Sequence, residues 1–518
     1  MRVVLSKNAV LLHLTLLVVF LASGYVRTSA LSTSLPLLWL MIAVFQAVLL
    51  FPPALKGETI KASRERARRK LLRDPIFYVG LAGLLFFVVQ ALNGPCSFIY
   101  DAKTLAWRLT PPPLSGLPYC LDQSEAFQGF FWLGPAWTAI LGLRHGLTRQ
   151  AKLRLLHILA LISGLVAIIS LITYASGAPL LLWGAPALPH RYGIFEYDGF
   201  AGIFFAMMFF CSGGLLAQAI TSGDSVIVRR FLYAATILNL IAATFSLNTG
   251  ALLFVWGGGV IGFIYFCATV FAHVNGARRL RLAGGILLTV IILAFLHVAA
   301  YPQNAVHARV RAILDGTALQ AIHGAEHATL VRGAWRVFAG HAAYGTGFWG
   351  YGRVIGQVLT EDDWRQIVSE NQMPVTCHCD PLQFLAELGV VGSGLLWALI
   401  VLLAIPSVRQ AYWLLRLPAA QVPTLTPARW RRFSPVAVGC ALALGGAAVA
   451  SFYDMPFRNP LVVLTWSLLL AILPSLLPVP KRVSTAAPVM ESAPPARRGR
   501  LARLLVFRRK RRHTSHRH

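Results

Sequence analysis

Residues 56–74 read KGETIKASRERARRKLLRD, and residues 75–93 read PIFYVGLAGLLFFVVQALN. The first block carries Lys56, Lys61, Arg64, Arg66, Arg68, Arg69, Lys70 and Arg73. The second carries no charged side chain. It is close to the roughly 20 residues that cross a bilayer core as a helix. A basic segment followed by an apolar block is the repeating unit of a multi-pass membrane protein, because Lys and Arg are retained on the cytoplasmic side.

The unit recurs in both directions. Apolar blocks lie near 9–25, 35–55, 76–93, 127–143, 155–175, 199–220, 231–246, 251–272, 283–300, 382–405, 435–452 and 460–478. If the chain alternates sides at each block, the basic segments share one side. These hold Arg144, Arg149, Lys152 and Arg154, then Arg229 and Arg230, then Arg278, Arg279 and Arg281, then Arg409, Arg416, Arg429, Arg431 and Arg432. Most acidic residues fall on the other side, among them Asp122, Glu125, Asp198, Glu361, Asp362, Asp363 and Asp380. The short turn Ser246-Leu247-Asn248-Thr249-Gly250 is critical, because a mere break in one helix there would upset the alternation.

Composition agrees. Of the 518 residues, 57% are hydrophobic and 13% charged, too little charge for a soluble chain of this length. A net charge of +28 would suggest nucleic acid in a soluble protein. Here the positive residues sit between apolar blocks, so they report topology, and no nucleic-acid partner is expected. The run 9–25 has the look of a signal peptide, but Ala22-Ser23-Gly24 is a poor cleavage site and another apolar block follows. The expected fold is all-α: a polytopic membrane protein of about 12 transmembrane helices with a large helical periplasmic loop. The membrane domain covers 1–480 and contains the loop 301–380; residues 481–518 form a basic, disordered tail. Both termini are expected in the cytoplasm.

Three outward segments are long enough to do chemistry: 94–126, 176–198 and 301–380. The first contains Cys96 and Cys120, which an oxidising compartment would join in a structural disulfide. The third has helical patterning, with Leu330, Trp335, Val337 and Phe338 and later Val354, Ile355 and Val358 at apolar positions. It also carries Arg309, Arg311, Arg332, Arg336, Arg353 and Arg365. Arginine on the outer side runs against the sidedness rule. Two explanations stand: a phosphate-bearing ligand, or ion pairs with Glu361, Asp362 and Asp363.

That loop ends in His378-Cys379-Asp380-Pro381-Leu382-Gln383-Phe384-Leu385-Ala386-Glu387-Leu388-Gly389-Val390-Val391-Gly392. Upstream stand Arg332-Gly-Ala-Trp335, Tyr344-Gly-Thr-Gly347 and Arg191-Tyr-Gly-Ile-Phe195. Together these resemble the O-antigen ligase and O-antigen polymerase superfamily, lipid-linked glycan transferases of the bacterial inner membrane. The resemblance spans roughly residues 185–405. Cys379 stands where the family commonly has Asn, and Glu196-Tyr197-Asp198 where it often has Asn-Pro-Asn.

The resemblance implies transfer of a saccharide from a polyprenyl diphosphate donor to a sugar hydroxyl, on a growing glycan or a lipid A core, at the periplasmic face. His378 would be the catalytic base, since neutral imidazole can take a hydroxyl proton near pH 7. Arg191, Arg332 and Arg336 would bind the diphosphate, with Arg309 a weaker candidate. Glu387, a carboxylate inside a span, would cap the helix or pair with an outer arginine. No cofactor is implied. The Cys377-His378-Cys379 run suggests metal only superficially, because adjacent residues do not easily aim at one ion. No Walker A, Gly-x-Ser-x-Gly or His-Glu-x-x-His motif occurs. The rival reading is a transporter or flippase for lipid-linked saccharides. It would place charges deep in several spans, and these are almost free of them.

Overall fold

The computed structural model describes residues 2–23, 31–55, 57–101, 106–176, 192–273, 305–317, 325–367, 376–416 and 433–477. Its helices are α1 (Arg2–Ala22), α2 (Leu31–Leu50), α3 (Ile60–Leu72), α4 (Pro75–Leu92), α5 (Gln123–Leu141), α6 (Arg149–Ser176), α7 (Asp198–Ser222), α8 (Val226–Phe245), α9 (Thr249–His273), α10 (Ala305–Leu314), α11 (Ala325–Gly340), α12 (Tyr351–Val358), α13 (Glu361–Ile367), α14 (Asp380–Arg416), α15 (Pro435–Ala450) and α16 (Pro460–Leu476). Helix starts are written in the sequence. Asp74-Pro75, Ser434-Pro435 and Asn459-Pro460 each pair a side-chain N-cap with a proline at the first helical position.

Six helices are long and apolar enough to cross a bilayer: α4, α6, α7, α8, α9 and α14. Four more apolar stretches, in α1, α2, α15 and α16, measure 10–17 residues. Twelve crossings are therefore not reached among the described residues, and the expected span 283–300 lies outside them, as does the tail. The outer faces carry large apolar side chains, including Trp39, 70% exposed, and Ile227, 80% exposed. Such faces suit hydrocarbon as solvent.

α7 is the central helix. Its buried face runs nearly its whole length, from Gly199 to Ala219. Gly214 lies against Pro435 and Gly439 of α15, and a side chain at Gly439 would overlap the Phe210 carbonyl oxygen. Small residues let the two backbones close, as in helix pairs within membranes. The turn at 246–250 is a true reversal. Ser246 and Ala251 both pack on Gly202, while Thr236 of α8 bonds Ser212 and Gly258 of α9 lies on Phe210. So α8 runs antiparallel to α7 and α9 runs parallel to it, as the alternation requires.

Two features add detail to the expected all-α fold. Within the basic segment 56–74, Ile60–Leu72 is a helix with Ser63, Ala67 and Leu71 buried along one face. Its Arg-, Ala- and Lys-rich composition favours a helix, and the i, i+4, i+8 spacing of those three residues gives it a packing stripe. The outward segment 94–126 contains a short β-hairpin, Phe98–Asp101 paired antiparallel with Ala106–Leu109, within an otherwise all-α fold.

Charges separate by end. Arg144 and His145 both close on Asp74, at 2.8 and 2.9 Å, joining the start of α4 to the π-helical turn after α5. Burial would raise the Asp74 pKa, but these partners hold it at about 2. This end also gathers the start of α6, the turn before α8 and the exposed basic face of α3. The other end holds Asp122, Glu125, Asp380, Glu387 and Asp454.

Candidate functional site

The acidic end is organised around a break in α14. Gly389 has φ 63° and ψ −170°, a conformation reserved for glycine. In an unbroken helix the N–H groups of Val390 and Val391 would donate to the carbonyls of Ala386 and Glu387. Here all four groups find partners on residues 342–347. Val390 donates to Ala342 at 2.8 Å and Val391 to Ala343 at 3.2 Å; Thr346 donates to Ala386 at 3.1 Å and Gly347 to Glu387 at 2.9 Å. A Cβ on Gly345 would run into the Glu387 carbonyl, and one on Gly389 into that of Ala343. The Tyr344-Gly-Thr-Gly347 and Glu387-Leu388-Gly389 stretches are thus two halves of one contact. Backbone polarity freed inside an apolar bundle must be satisfied in this way.

Polar side chains brace the break. Gln90 of α4 donates to Tyr344 O and Glu387 O and accepts from Phe348 N. Glu387 accepts from Trp349 N at 3.0 Å and Gln383 Nε2 at 2.9 Å. Its strongest partner is Arg458, whose Nη1 lies 2.5 Å from Glu387 Oε2 and whose Nε lies 3.5 Å from Asp380 Oδ1. The Arg458 side chain is 0% exposed. Its guanidinium lies over the rings of Phe384, Trp349 and Phe348, with centroids at 4.4, 5.1 and 5.4 Å. Of the two roles expected for Glu387, a helix cap or an arginine partner, the structure shows the second, with an arginine the sequence did not single out. Arg458 follows the last apolar block but one, in a short turn with Asp454, and these two charged residues between apolar blocks were the available signal.

His378 stands at the entrance of α14 with φ 50°. The side chains on either side of it go elsewhere. Cys377 and Cys379 are buried in the core of the 325–379 region, with Leu330, Ala334, Val337 and Tyr351. The imidazole is turned the other way, 38% exposed, with Nδ1 3.8 Å from Asp454 Oδ1 and the Tyr197 ring centroid at 6.3 Å. Burial would lower the His378 pKa, but the Asp454 carboxylate prevails and raises it above the ordinary histidine value. Asp454 is in turn held by Asn248 Nδ2 at 2.8 Å and by the backbone N–H of Met455. Four segments thus meet: the Tyr197 turn, the α8–α9 turn, the His378 entrance and the α15–α16 turn. The Cys-His-Cys run does not gather on one point, and no group of three metal-ligating residues forms among the described residues.

The arginines sit apart from the imidazole. Arg336 Nη1 lies 2.5 Å and Arg332 Nη2 3.6 Å from Asp363, which caps α13 through Thr360. Arg332 also bonds Thr329 at 2.7 Å. The Arg336 partnership, with Thr360, holds the Asp363 carboxyl well below the usual carboxylate range. Of the two explanations for outer arginine, ion pairing is what these two side chains show, and both keep a solvent-facing side at 53% and 39% exposure. Arg353 likewise pairs with Asp122 and Glu125, tying α12 to the start of α5. Arg191 lies outside the described residues, and Arg309 lies in α10.

Cys96 and Cys120 are both buried and both free thiols, with Cys96 N donating to Cys120 O at 2.9 Å. Burial pushes the Cys120 thiol up to about 12. Cys120 also packs on Gly347, so this neighbourhood adjoins the break.

An apolar groove of about 200 Å³ opens beside Asp380. Trp132, Phe384, Trp397, Ile400 and Trp466 line its length, and Asp380, Ser451 and Phe457 lie at its polar end. Ser451 O accepts from Asp380 N, and Asp380 Oδ2 accepts from Phe457 N at 2.8 Å. The groove therefore reaches Asp380, which pairs with Arg458 and stands two residues after His378 in the chain. No protein-family model matches the chain, and no curated protein matches it.

Proposed function

We propose that the chain is a multi-pass inner-membrane glycosyltransferase that moves a saccharide from a polyprenyl diphosphate to a sugar hydroxyl at the outer face. It would act as an O-antigen ligase or a polysaccharide polymerase. In this reading the path crosses the bilayer twelve times, the basic end of the bundle faces the cytoplasm with both termini, and the cluster at His378 faces the periplasm. The observation that carries the reading is the half-buried imidazole of His378 set against the buried Asp454 carboxylate, near an apolar groove. A base that must meet both a polar acceptor and a lipid-borne donor needs such a position.

The chemistry follows from the residues. With its Nδ1 side turned to Asp454, His378 presents Nε2 to the acceptor. The acceptor oxygen attacks the anomeric carbon, its proton passes to Nε2, and the carbon–oxygen bond to the diphosphate breaks with its electron pair leaving on the phosphate. Asp454 stabilises the imidazolium that forms, and Asn248 fixes Asp454. The diphosphate gains charge as the bond breaks, so cationic groups there act on the transition state more than on the ground state. Arg191, Arg332 and Arg336 are assigned that role. For the latter two, the phosphate oxygens would take over from Asp363 on the same guanidinium groups. The apolar groove suits the hydrocarbon tail of such a donor, with the anionic head toward the His378 end.

The transporter reading makes the opposite forecast in one assay. Purified protein is placed in liposomes containing a fluorescent polyprenyl-diphosphate oligosaccharide and a soluble glycan acceptor. Transferase activity yields a larger glycan product without net movement of label between leaflets. Movement of label with no product would establish the transporter reading instead.

A further inference from the structure

We infer that the outward face of α3 is a binding surface for the headgroups of anionic phospholipid. The inference is independent of the reaction proposed above. α3 sits at the basic end of the bundle, between the end of α2 and the start of α4, a full helix length from His378. It is fastened there rather than tethered. Ser63, Ala67 and Leu71 are buried along its inner side. Arg64 Nε donates to Leu50 O at 2.9 Å, and Arg66 donates to Pro53 O at 2.7 Å and to both oxygens of Glu58. Thr59 caps its N-terminus by accepting from Ala62 N.

What remains outward is strongly basic. Lys61, Arg68, Arg69, Lys70 and Arg73 are exposed, and the one carboxylate on the helix, Glu65, is taken by Arg69 at 2.6 Å. Lys61, Arg68, Lys70 and Arg73 have no carboxylate partner among the described residues. Nor is the surface purely ionic. Leu72 and Tyr78 are large exposed side chains beside it, and the Tyr78 hydroxyl donates to Leu72 O at 3.0 Å. Cationic heads next to an exposed leucine and an anchored tyrosine match the boundary between headgroups and acyl chains. Topological bias alone would require the positive charge to lie somewhere on this side. It would not require that charge to be held on a rigid helix docked at the ends of two apolar helices. Clusters of this size next to a membrane helix attract acidic lipid. A nucleic acid or an acidic protein would have to compete with the lipid surface that α2 and α4 bring to the same helix.

The test uses the full-length protein purified in a neutral detergent, with thermal unfolding as readout. Phosphatidylglycerol is titrated into wild type and into K61Q/R68Q/K70Q/R73Q, with phosphatidylcholine, inorganic phosphate and a short oligonucleotide as separate arms. The expected result is a rise in Tm with phosphatidylglycerol alone, lost in the variant, with both proteins melting together before lipid is added. If the quadruple variant melts early without lipid, K61Q/R68Q and K70Q/R73Q are measured singly, and each should lose part of the shift. An undiminished phosphatidylglycerol shift in the variants overturns the inference. So does an equal shift with phosphatidylcholine, or a shift with the oligonucleotide and none with phosphatidylglycerol.

Discussion

Leu247, Trp349 and His378 are the residues other than glycine with left-handed backbone among the described residues, and all three border the same cluster. Leu247 precedes the Asn248 that holds Asp454, Trp349 donates its N–H to Glu387, and His378 faces Asp454. Each such conformation costs on the order of 1–3 kcal/mol and persists where the surroundings impose it. At His378 the effect is visible: the backbone turns the imidazole out of the core that takes Cys377 and Cys379. Two predictions belong here. Because Asp454 raises the His378 pKa, and the base must be neutral to work, transfer should fall as pH drops through that raised value. Asp454→Asn removes the raising charge, so the acidic limb of the pH–rate profile should move to lower pH while the plateau falls. An unmoved limb would dissociate Asp454 from the titrating group. Arg332→Lys keeps the charge but loses the paired geometry that suits phosphate. It should raise the donor KM with little change in melting temperature, measured on the same preparation.

At the scale of elements, the break in α14 accounts for residues that a span should not contain. Gln90, Gln383, Glu387 and Arg458 would be costly in an unbroken apolar bundle. Around the break each has partners, and Arg458 also has three aromatic rings. Gly389→Ala should therefore fail to fold or lose activity, because a methyl group would strike the Ala343 backbone in a conformation only glycine adopts. Gly394→Ala, five residues on in the same helix, meets nothing within 4 Å and should be tolerated. Fluorescence-detected size exclusion of the two variants makes the comparison. Glu387→Gln would leave Arg458 buried without its closest anion, a change that costs roughly 3–5 kcal/mol where it has been measured. The motif stretches 344–347 and 387–389 could be read in the sequence, but not that they were one contact. Glycine spacing signals an unusual backbone without saying which backbone it meets. For α3 the helix-forming composition was present, but dense positive charge drew the reading toward topology and away from the stripe of Ser63, Ala67 and Leu71.

Across the whole molecule, the alternation of apolar and basic segments told most of the story. Every expected span except 283–300, which lies outside the described residues, overlaps a helix, and six of those helices are long and apolar enough to cross a bilayer. Basic and acidic side chains segregate to the two ends of the bundle, and the 246–250 turn reverses the chain. What the sequence could not carry was convergence. Tyr197, Asn248, His378 and Asp454 come from four segments up to 257 positions apart, an interval closed only in the folded bundle. Cysteines introduced singly at Arg69 and at Glu361 should be labelled by an impermeant maleimide from opposite faces of the membrane.

The central claim is tested most directly by the rate of glycan transfer from a polyprenyl-diphosphate oligosaccharide to a sugar acceptor, for reconstituted wild type and His378→Ala side by side. General-base assistance contributes about 10²–10⁴ in rate, so the account predicts active wild type and a loss of that order in a variant that still folds. Full activity in His378→Ala, or no transfer by wild type with any acceptor, would contradict it.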